Sequence, residues 1–573
     1  MAFQISPGVN FSEIDATTVV PAISTTAGAF AGPFQWGPVG KRTLISNEVD
    51  LVNQFGKPDA AGNTAVSFFS AANFLAYGNN LQVVRAANTS SKNASANANN
   101  LLTINNVDVY DSTYIADTLG QTFVARYPGA LGNSLKVSVW DSNGSNSASN
   151  TFTSWTYKSL FPGAPSTSSY VSASGGANDQ IHLVVIDEDG LFSGGSKGTV
   201  LEVFPYLSKA SDSVSDDGST SYYRTVIRNQ SKYIYALGPV DSSNTSGTWG
   251  RTANTQFGGS FMGASNVGST VSLASGTDIA VQNSDVQTAY NQFVNKDEVD
   301  ISLVVTGDAA VATQQHVIDN ITSARKDCVA FISPPQSGIV GGATPDTAIT
   351  TWTTTLARTS TYAVADCGWK YQFDKYNNVY RWMPLNADIA GLCVRTDQTN
   401  DPWFSPAGVN RGAIKNVVKL AWNPTQSQRD AIYSVGVNPV ISLPGQGTIL
   451  YGDKTLTTQP SAFSRINVRR LFIVMEKAIT TASKFSLFEM NDEFTRAQFI
   501  ALVEPFLRDV KGRRGIYDYR VVCDTTNNTT QVIDNNQFIG DIYIKPARSI
   551  NYIQLNFVAA RTGVNFNEIV GAV

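Results

Sequence analysis

"VDISLVVTGDAAVATQQHVIDNITSARKDCVAFISPP", Val299 to Pro335, sets the fold class. Its opening "VDISLVVTG" is a short apolar run closed by glycine, and its closing "CVAFISPP" (Cys328 to Pro335) is another closed by prolines, so both read as strands. Between them Val317, Ile321 and Ala324 recur at helical spacing on one face. A strand, a helix and a second strand, with a crossover that long, predict parallel pairing. The host fold is therefore expected to be α/β.

The pattern continues on both sides. Ser284 and Gln287 predict a capping box for a helix carrying Val286, Ala289, Tyr290, Phe293 and Val294. Thr425 and Gln428 predict a second, for a helix with Ile432 and Val435 that ends near Gly436. Val468, Leu471, Phe472, Met475 and Ile479 stripe another. "FTRAQFIALVEPFLRDV" predicts one bent at Pro505, because proline removes an intrahelical bond and crowds the preceding turn. Strands follow: "YDYRVVCD" is expected to put Tyr517, Tyr519, Val521 and Cys523 on one face, and "NYIQLNFV" alternates Ile553, Leu555 and Phe557 with polar positions.

Two soft stretches interrupt this texture, "NTSSKNASANANN" (Asn88 to Asn100) and "GGSFMGASNVGSTVSLASG" (Gly258 to Gly276), with the Gly, Ser and Asn content of linkers. They bracket a block with its own β-type runs, "LKVSVW" (Leu135 to Trp140), "IHLVVI" (Ile181 to Ile186) and "GTVLEVF" (Gly198 to Phe204). A β-rich domain inserted into a host fold is expected. The residues before Asn88 and after Gly276 then belong together in space.

The composition excludes several functions. At 573 residues the chain exceeds one hydrophobic core, and 41 Lys plus Arg against 45 Asp plus Glu leave a formal charge of −4, so no global field favours nucleic acid or an acidic membrane. No run approaches a membrane span. Cys328, Cys367, Cys393 and Cys523 are far apart with no C-x-x-C, and "MAFQISPGVNF" lacks the marks of a signal peptide, which predicts folding in a reducing cytoplasm. His182 and His316 have no ligand partner at metal spacing, so no metal site is expected. "GLFSGGSK" (Gly190 to Lys197) misses the phosphate-loop register by one residue, and the "DEDG" at Asp187 to Gly190 reads as a hairpin turn rather than a calcium loop. Gly307 stands where a nucleotide-binding glycine loop would begin, without its G-x-G-x-x-G. No catalytic residue and no cofactor are expected. The cationic residues Arg469, Arg470, Lys511, Arg513 and Arg514, interspersed with acids, read either as a solvated face or as a salt-sensitive contact between subunits.

The two ends carry twin heptapeptides, "GVNFSEI" (Gly8 to Ile14) and "GVNFNEI" (Gly563 to Ile569). Each reads as half-buried extended chain, and a short strand near a terminus must find a sheet edge elsewhere. Val9, Phe11, Ile14, Val564, Phe566 and Ile569 are the expected inter-subunit contacts, with Gly8 and Gly563 as hinges free to absorb a change of angle.

"SPGVNFSEID" and "AGAFAGPFQWGPVGKRTLISNEVDLVNQFGKP" near the start resemble the tail sheath proteins of contractile-tailed bacteriophages, the T4-like group in particular. "YQFDKYNNVYRWMPLNADIAGLC", "PWFSPAGVNRGAI", "YGDKTL", "INVRRLF", "GIYDYRVVCDTTNNT" and "IYIKPARSINYIQLNFVA" follow in the family's order. The resemblance implies a multidomain α/β and α+β fold with discontinuous core domains, a β-rich inserted domain and extended terminal arms. The expected division is a 1–23 arm joining the C-terminal domain, a middle domain of 24–87 plus 277–424, an insert of 88–276, and a C-terminal domain of 425–573 with its own arm. The implied function is a non-enzymatic sheath subunit that stacks as hexameric rings around a tail tube, and contracts to drive the tube through the host envelope for genome ejection. Its implied partners are copies of itself, the tail tube protein, and baseplate and tail terminator proteins, with no direct nucleic acid and no membrane insertion. The implied location is the virion tail, after assembly in the host cytoplasm. Two alternatives remain open here: the sheath of a bacterial contractile injection system, and a nucleotide-using α/β enzyme.

Overall fold

The computed structural model describes residues 24–62, 64–96, 102–114, 123–142, 152–237, 248–257 and 268–554. Gly8, Val9, Phe11, Ile14, Gly563, Val564, Phe566 and Ile569 lie outside them. The described chain forms two compact units, one of 24–402 and 406–481, the other of 403–405 and 482–554.

The larger unit is built on a seven-stranded sheet. From edge to edge it runs β16 (Val437–Asn438), β12 (Ala363–Asp366), β11 (Val329–Ile332), β10 (Leu303–Val305), β1 (Gly28–Pro33), β3 (Leu81–Ala86) and β2 (Arg42–Ile45). All neighbours are parallel except β2, which runs antiparallel at the edge. Gly28 pairs with both Leu303 and Leu81, so segments on either side of the bracketed block are direct neighbours. The last strand comes from beyond residue 424, where the host domain was expected to end.

The predicted strand, helix, strand unit is β10, the helical run 311–325 and β11. Val317 and Ile321 are buried, but Ala324 is exposed and Arg325 is turned inward. The cause is a π-helical turn over Val317–Thr322, whose wider winding shifts the phase of everything after it. Arg325 then donates to the carbonyls of Phe293 (2.6 Å) and Val299 (2.8 Å). The preceding helix begins at Asn283, and its box is Asp285 accepting from the Gln282 N–H, not the expected Ser284 and Gln287. A carboxylate is the stronger acceptor for those amides. The Thr425 and Gln428 box forms as expected, with Gln428 Oε1 accepting from the Thr425 N–H at 3.0 Å.

Two helices pass through the core of this unit. Ala65–Leu75 is apolar nearly all round, and it packs on Asn386–Thr399. The fit is close: a Cβ on Gly391 would lie 2.3 Å from the ring of Tyr77. The Tyr77 hydroxyl donates to Asp388 (3.2 Å) and accepts from the Lys415 N–H (2.7 Å), while Lys370 Nζ donates to the same carboxylate at 2.8 Å. Both bonds fall on Asp388 Oδ1, while Oδ2 is buried without a partner among the described residues, so the fully buried ion pair is held from one side of the carboxylate.

The chain leaves the sheet after β3 and returns before Asn283 through a neck in which the outgoing and incoming strands pair. Lys92 and Thr277 exchange two backbone bonds of 3.1 Å, and Ser95 and Ala274 two of 2.9 Å. Beyond the neck lie a two-stranded pair, β4 (Phe123–Ala125) with β8 (Ile234–Ala236), and an antiparallel sheet of β7 (Thr199–Ser208), β6 (Gln180–Asp187), β5 (Leu135–Asp141) and β9 (Gly268–Ser272). The buried Arg85 joins this region to the large sheet, donating to the carbonyls of Phe34 (2.9 Å), Gly37 (3.0 Å) and Pro128 (2.8 Å). Trp36 meets the rings of Tyr127 and Phe192 edge-on.

The rest of the larger unit comprises a three-stranded sheet, β14 (Val379–Pro384), β13 (Trp369–Asp374) and β15 (Lys419–Leu420), and a hairpin of β17 (Val440–Leu443) and β18 (Gly447–Leu450). The helix Ile466–Ser483 corrects both readings of Arg469 and Arg470. Neither is solvated and neither lies at a rim. Arg470 is buried in a two-pronged pair with Asp397 (2.7 and 2.5 Å), and Arg469 lies over the rings of Tyr362 and Phe463 while donating to the Tyr362 hydroxyl. The planar guanidinium, with its fixed fork of donors and a face that stacks on rings, suits such burial.

Candidate assembly surface

The smaller unit pairs one long helix with a strand ribbon. Asp492 caps the helix Glu493–Gly512 by accepting from the Thr495 N–H at 2.8 Å, and Phe499, Val503, Leu507 and Val510 give it a buried stripe. Pro505 sits within it; its missing N–H costs one bond, and packing of the stripe on β19 (Ile516–Val522) outweighs that loss. Trp403 Nε1 donates to the Arg513 carbonyl at 3.0 Å, where the chain turns from helix to strand. Gly515 is needed at that turn, since a Cβ there would lie 2.7 Å from Val510 and 3.1 Å from the Trp403 ring.

β19 pairs antiparallel with β20 (Asp541–Pro546). The expected shared face of Tyr517, Tyr519, Val521 and Cys523 is broken at its first member. A bulge between Ile516 and Asp518 leaves Tyr517 exposed, while Tyr519 and Val521 are half-buried and Cys523 is buried. The loop joining the strands is closed by Asn528, which donates to the Ile539 carbonyl (2.7 Å) and accepts from its N–H (2.9 Å), imitating one rung of a ladder. In the sequence Asn528 is only one more loop asparagine; the signal that it is structural is its burial.

Among the described residues β19 and β20 have no other strand neighbour, so the ribbon has two open edges. Such edges offer rows of backbone donors and acceptors to a strand from another chain. Lys511, Arg513 and Arg514 are exposed beside the ribbon, and Lys511 pairs with Asp518 at 3.0 Å. The structure describes none of the eight terminal residues expected to make contacts or act as hinges, so it does not bring them to this ribbon.

The positions weighed for chemistry are occupied by structural bonds. The Asp187 carboxylate accepts from the Ser134 hydroxyl (2.6 Å) and from the N–H groups of Gly190, Leu191 and Ser193, which organises the turn. Both backbone groups of Gly307 are engaged by the side chain of Asn386 (3.1 and 2.7 Å), in the place where a phosphate would have to approach. The ring of His182 stacks on Phe161 and accepts from the Tyr206 N–H, and its Nε2 lies 2.8 Å from the Gly163 carbonyl. His316 lies between Asn291 and Asn320, 2.8 Å from each. All four cysteines are buried free thiols, and burial raises those of Cys367 and Cys393 to about 12. Among the described residues no helix is long and apolar enough to cross a membrane.

Comparison with known proteins agrees along the whole chain. Residues 25–86 match the N-terminal region of tail sheath protein Gp18 domain III, residues 280–456 the phage tail sheath protein central domain, and residues 458–560 the phage tail sheath C-terminal domain. The tail sheath protein of Enterobacteria phage T4 is 36% identical over 99% of this chain and 99% of its own length. That of Vibrio phage KVP40 is 34% identical over 99% of this chain and 100% of its own. Among solved structures, the sheath tail protein from Listeria innocua shares the fold, with a TM-score of 0.53 at 12% identity over 92% of this chain and 93% of that one. The chain belongs to the family of phage tail sheath proteins.

Proposed function

We propose that copies of this chain polymerise as stacked hexameric rings around a tail tube, and that the lattice shortens to drive the tube through the host envelope. Family membership supports the sheath role, and with it a place in the virion tail. The observation that supports the mode of joining is the two-stranded ribbon of β19 and β20, with both edges open among the described residues. Val9, Phe11 and Ile14, and Val564, Phe566 and Ile569, of neighbouring copies supply the added strands, with Gly8 and Gly563 as pivots. Each joint makes a few backbone bonds of about 0.5–1.5 kcal/mol net, and buries Val and Phe side chains at roughly 1.5–3 kcal/mol apiece. Several kcal/mol per joint keeps neighbours tied while their bodies shift. No substrate is turned over; work comes from two packings of the same chains, the extended one trapped kinetically.

In this reading residues 88–276 form an inserted domain and 1–23 an arm, and the paired neck at Lys92 and Thr277 supports the former. Tube, baseplate and terminator proteins complete the tail, which assembles in the host cytoplasm. Deleting Met1–Asp15, or Gly563–Val573, is expected to leave folded monomers that form no tubes under the electron microscope. Normal tubes from both truncations would overturn the arm mechanism.

A further inference from the structure

The three-stranded sheet of β14, β13 and β15 has its polarity reversed. The side chains of β13 that point inward are Lys370, Gln372 and Asp374, each satisfied there by Asp388, Asn73 and Arg381 respectively. Those that point outward are Tyr371 and Phe373, directly opposite Trp382 and Tyr380 of β14. The four rings form a continuous ladder, with centroids 4.7 Å apart for Tyr371 and Trp382, 5.1 Å for Phe373 and Tyr380, and 5.5 Å for Tyr371 and Tyr380. Phe373 is 45% exposed and Tyr380 51%. Lys419 lies over Tyr371 and Trp382 and has no carboxylate partner among the described residues. A contiguous aromatic face held in register on a polar, fully bonded underside is what an interaction surface requires, and scattered exposed residues are not.

Among the described residues the smaller unit carries a second exposed apolar stretch. Phe485, Leu487, Phe488, Met490 and Phe494 lie within ten residues, and Phe485 and Phe494 are 72% and 74% exposed. Phe488 is held at φ 73°, a left-handed conformation costly for an aromatic residue, with its ring wholly in solvent. Glu489 and Glu493 are exposed in the same stretch and have no cationic partner among the described residues.

We propose that the aromatic face of β13 and β14 in one copy docks the Phe485–Phe494 stretch of a second copy of this chain. The two surfaces are complementary: one has an unpaired lysine among aromatic rings, the other unpaired glutamates among apolar side chains. They are also different patches on the same chain, and a contact between unlike patches is head-to-tail, so it builds rings or open helical arrays rather than isolated pairs. The proposal rests on the self-assembly reading above, and adds a body-to-body contact separate from the arms.

The test uses the full chain. Phe373→Ser with Tyr380→Ser alters one surface and Phe485→Ser with Phe488→Ser the other; every substituted residue is exposed, so circular dichroism and the thermal midpoint are expected to match the unsubstituted chain. Each pair is expected to lower the sedimentable tubular fraction by about tenfold, the loss that follows from removing apolar anchors at an interface centre. Lys419→Glu alone, and Glu489→Lys with Glu493→Lys alone, are expected to slow tube growth, and all three changes together to restore it. Tubes from the unsubstituted chain and equal tubes from both serine variants would overturn the docking while leaving self-assembly standing. Loss in the single reversals without restoration in the combination would overturn the pairing of these two surfaces. No tubes from the unsubstituted chain would instead overturn the self-assembly reading on which the proposal rests.

Discussion

Asp366 ends β12 with its carboxylate buried, accepting from the Ser333 hydroxyl (2.6 Å) and the Gly368 N–H (2.9 Å). Burial outweighs those bonds and raises it to about 8 from an ordinary 3.8. The unfolded chain therefore loses this proton near pH 4 and the folded chain near pH 8, so the folded state holds the extra proton in between and this group's contribution falls as pH rises through that window. His182 works the other way. Burial lowers it to about 4 from 6.5, so its contribution is lost as pH falls through that range. The two oppose each other between about pH 4 and 6.5, and above 6.5 the carboxylate acts alone. Burial raises Asp141, Asp308 and Asp388 as well, so Asp366→Asn is expected to lessen, not abolish, the fall in stability of the larger unit between pH 6.5 and 8, measured by urea titration at several pH values; an unchanged slope would show that the proton is held elsewhere.

Arg470 of the helix Ile466–Ser483 pairs with Asp397 of the helix Asn386–Thr399. Both partners are buried, so losing one strands the other without water or counterion. Asp397→Ala is expected to cost about 3–5 kcal/mol, read as a fall in denaturant midpoint. Replacing both by apolar residues of similar volume is expected to cost much less. A small effect of Asp397→Ala would mean that the Cys393 carbonyl, 3.4 Å from Arg470 Nη1, suffices to hold the guanidinium.

The chain divides into two compact units that draw on separate segments, with Trp403 contributing to the smaller one from the middle of the sequence. Calorimetry of the monomer is expected to resolve two transitions, with Asp397→Ala shifting only that of the larger unit. A single transition displaced as a whole would show the units to be one cooperative body. Such a division suits a subunit whose parts must keep their folds while a lattice rearranges around them.

The α/β class, the strand, helix, strand unit and the β-runs of the bracketed block were legible because apolar periodicity is a local property of the chain. The family was legible from ordered blocks of residues. What could not be read were the features set by partners distant in sequence. Arg469, Arg470 and Lys370 are charged, and only the arrangement of Tyr362, Asp397 and Asp388 around them makes burial affordable. Ala324 left its expected face because a π-turn, one extra residue in the winding, is not written in the spacing of side chains. The outward aromatic ladder of β13 and β14 looks like core in the sequence, since alternation tells which residues share a face but not which face meets water. That choice is made when the rest of the fold packs against one side.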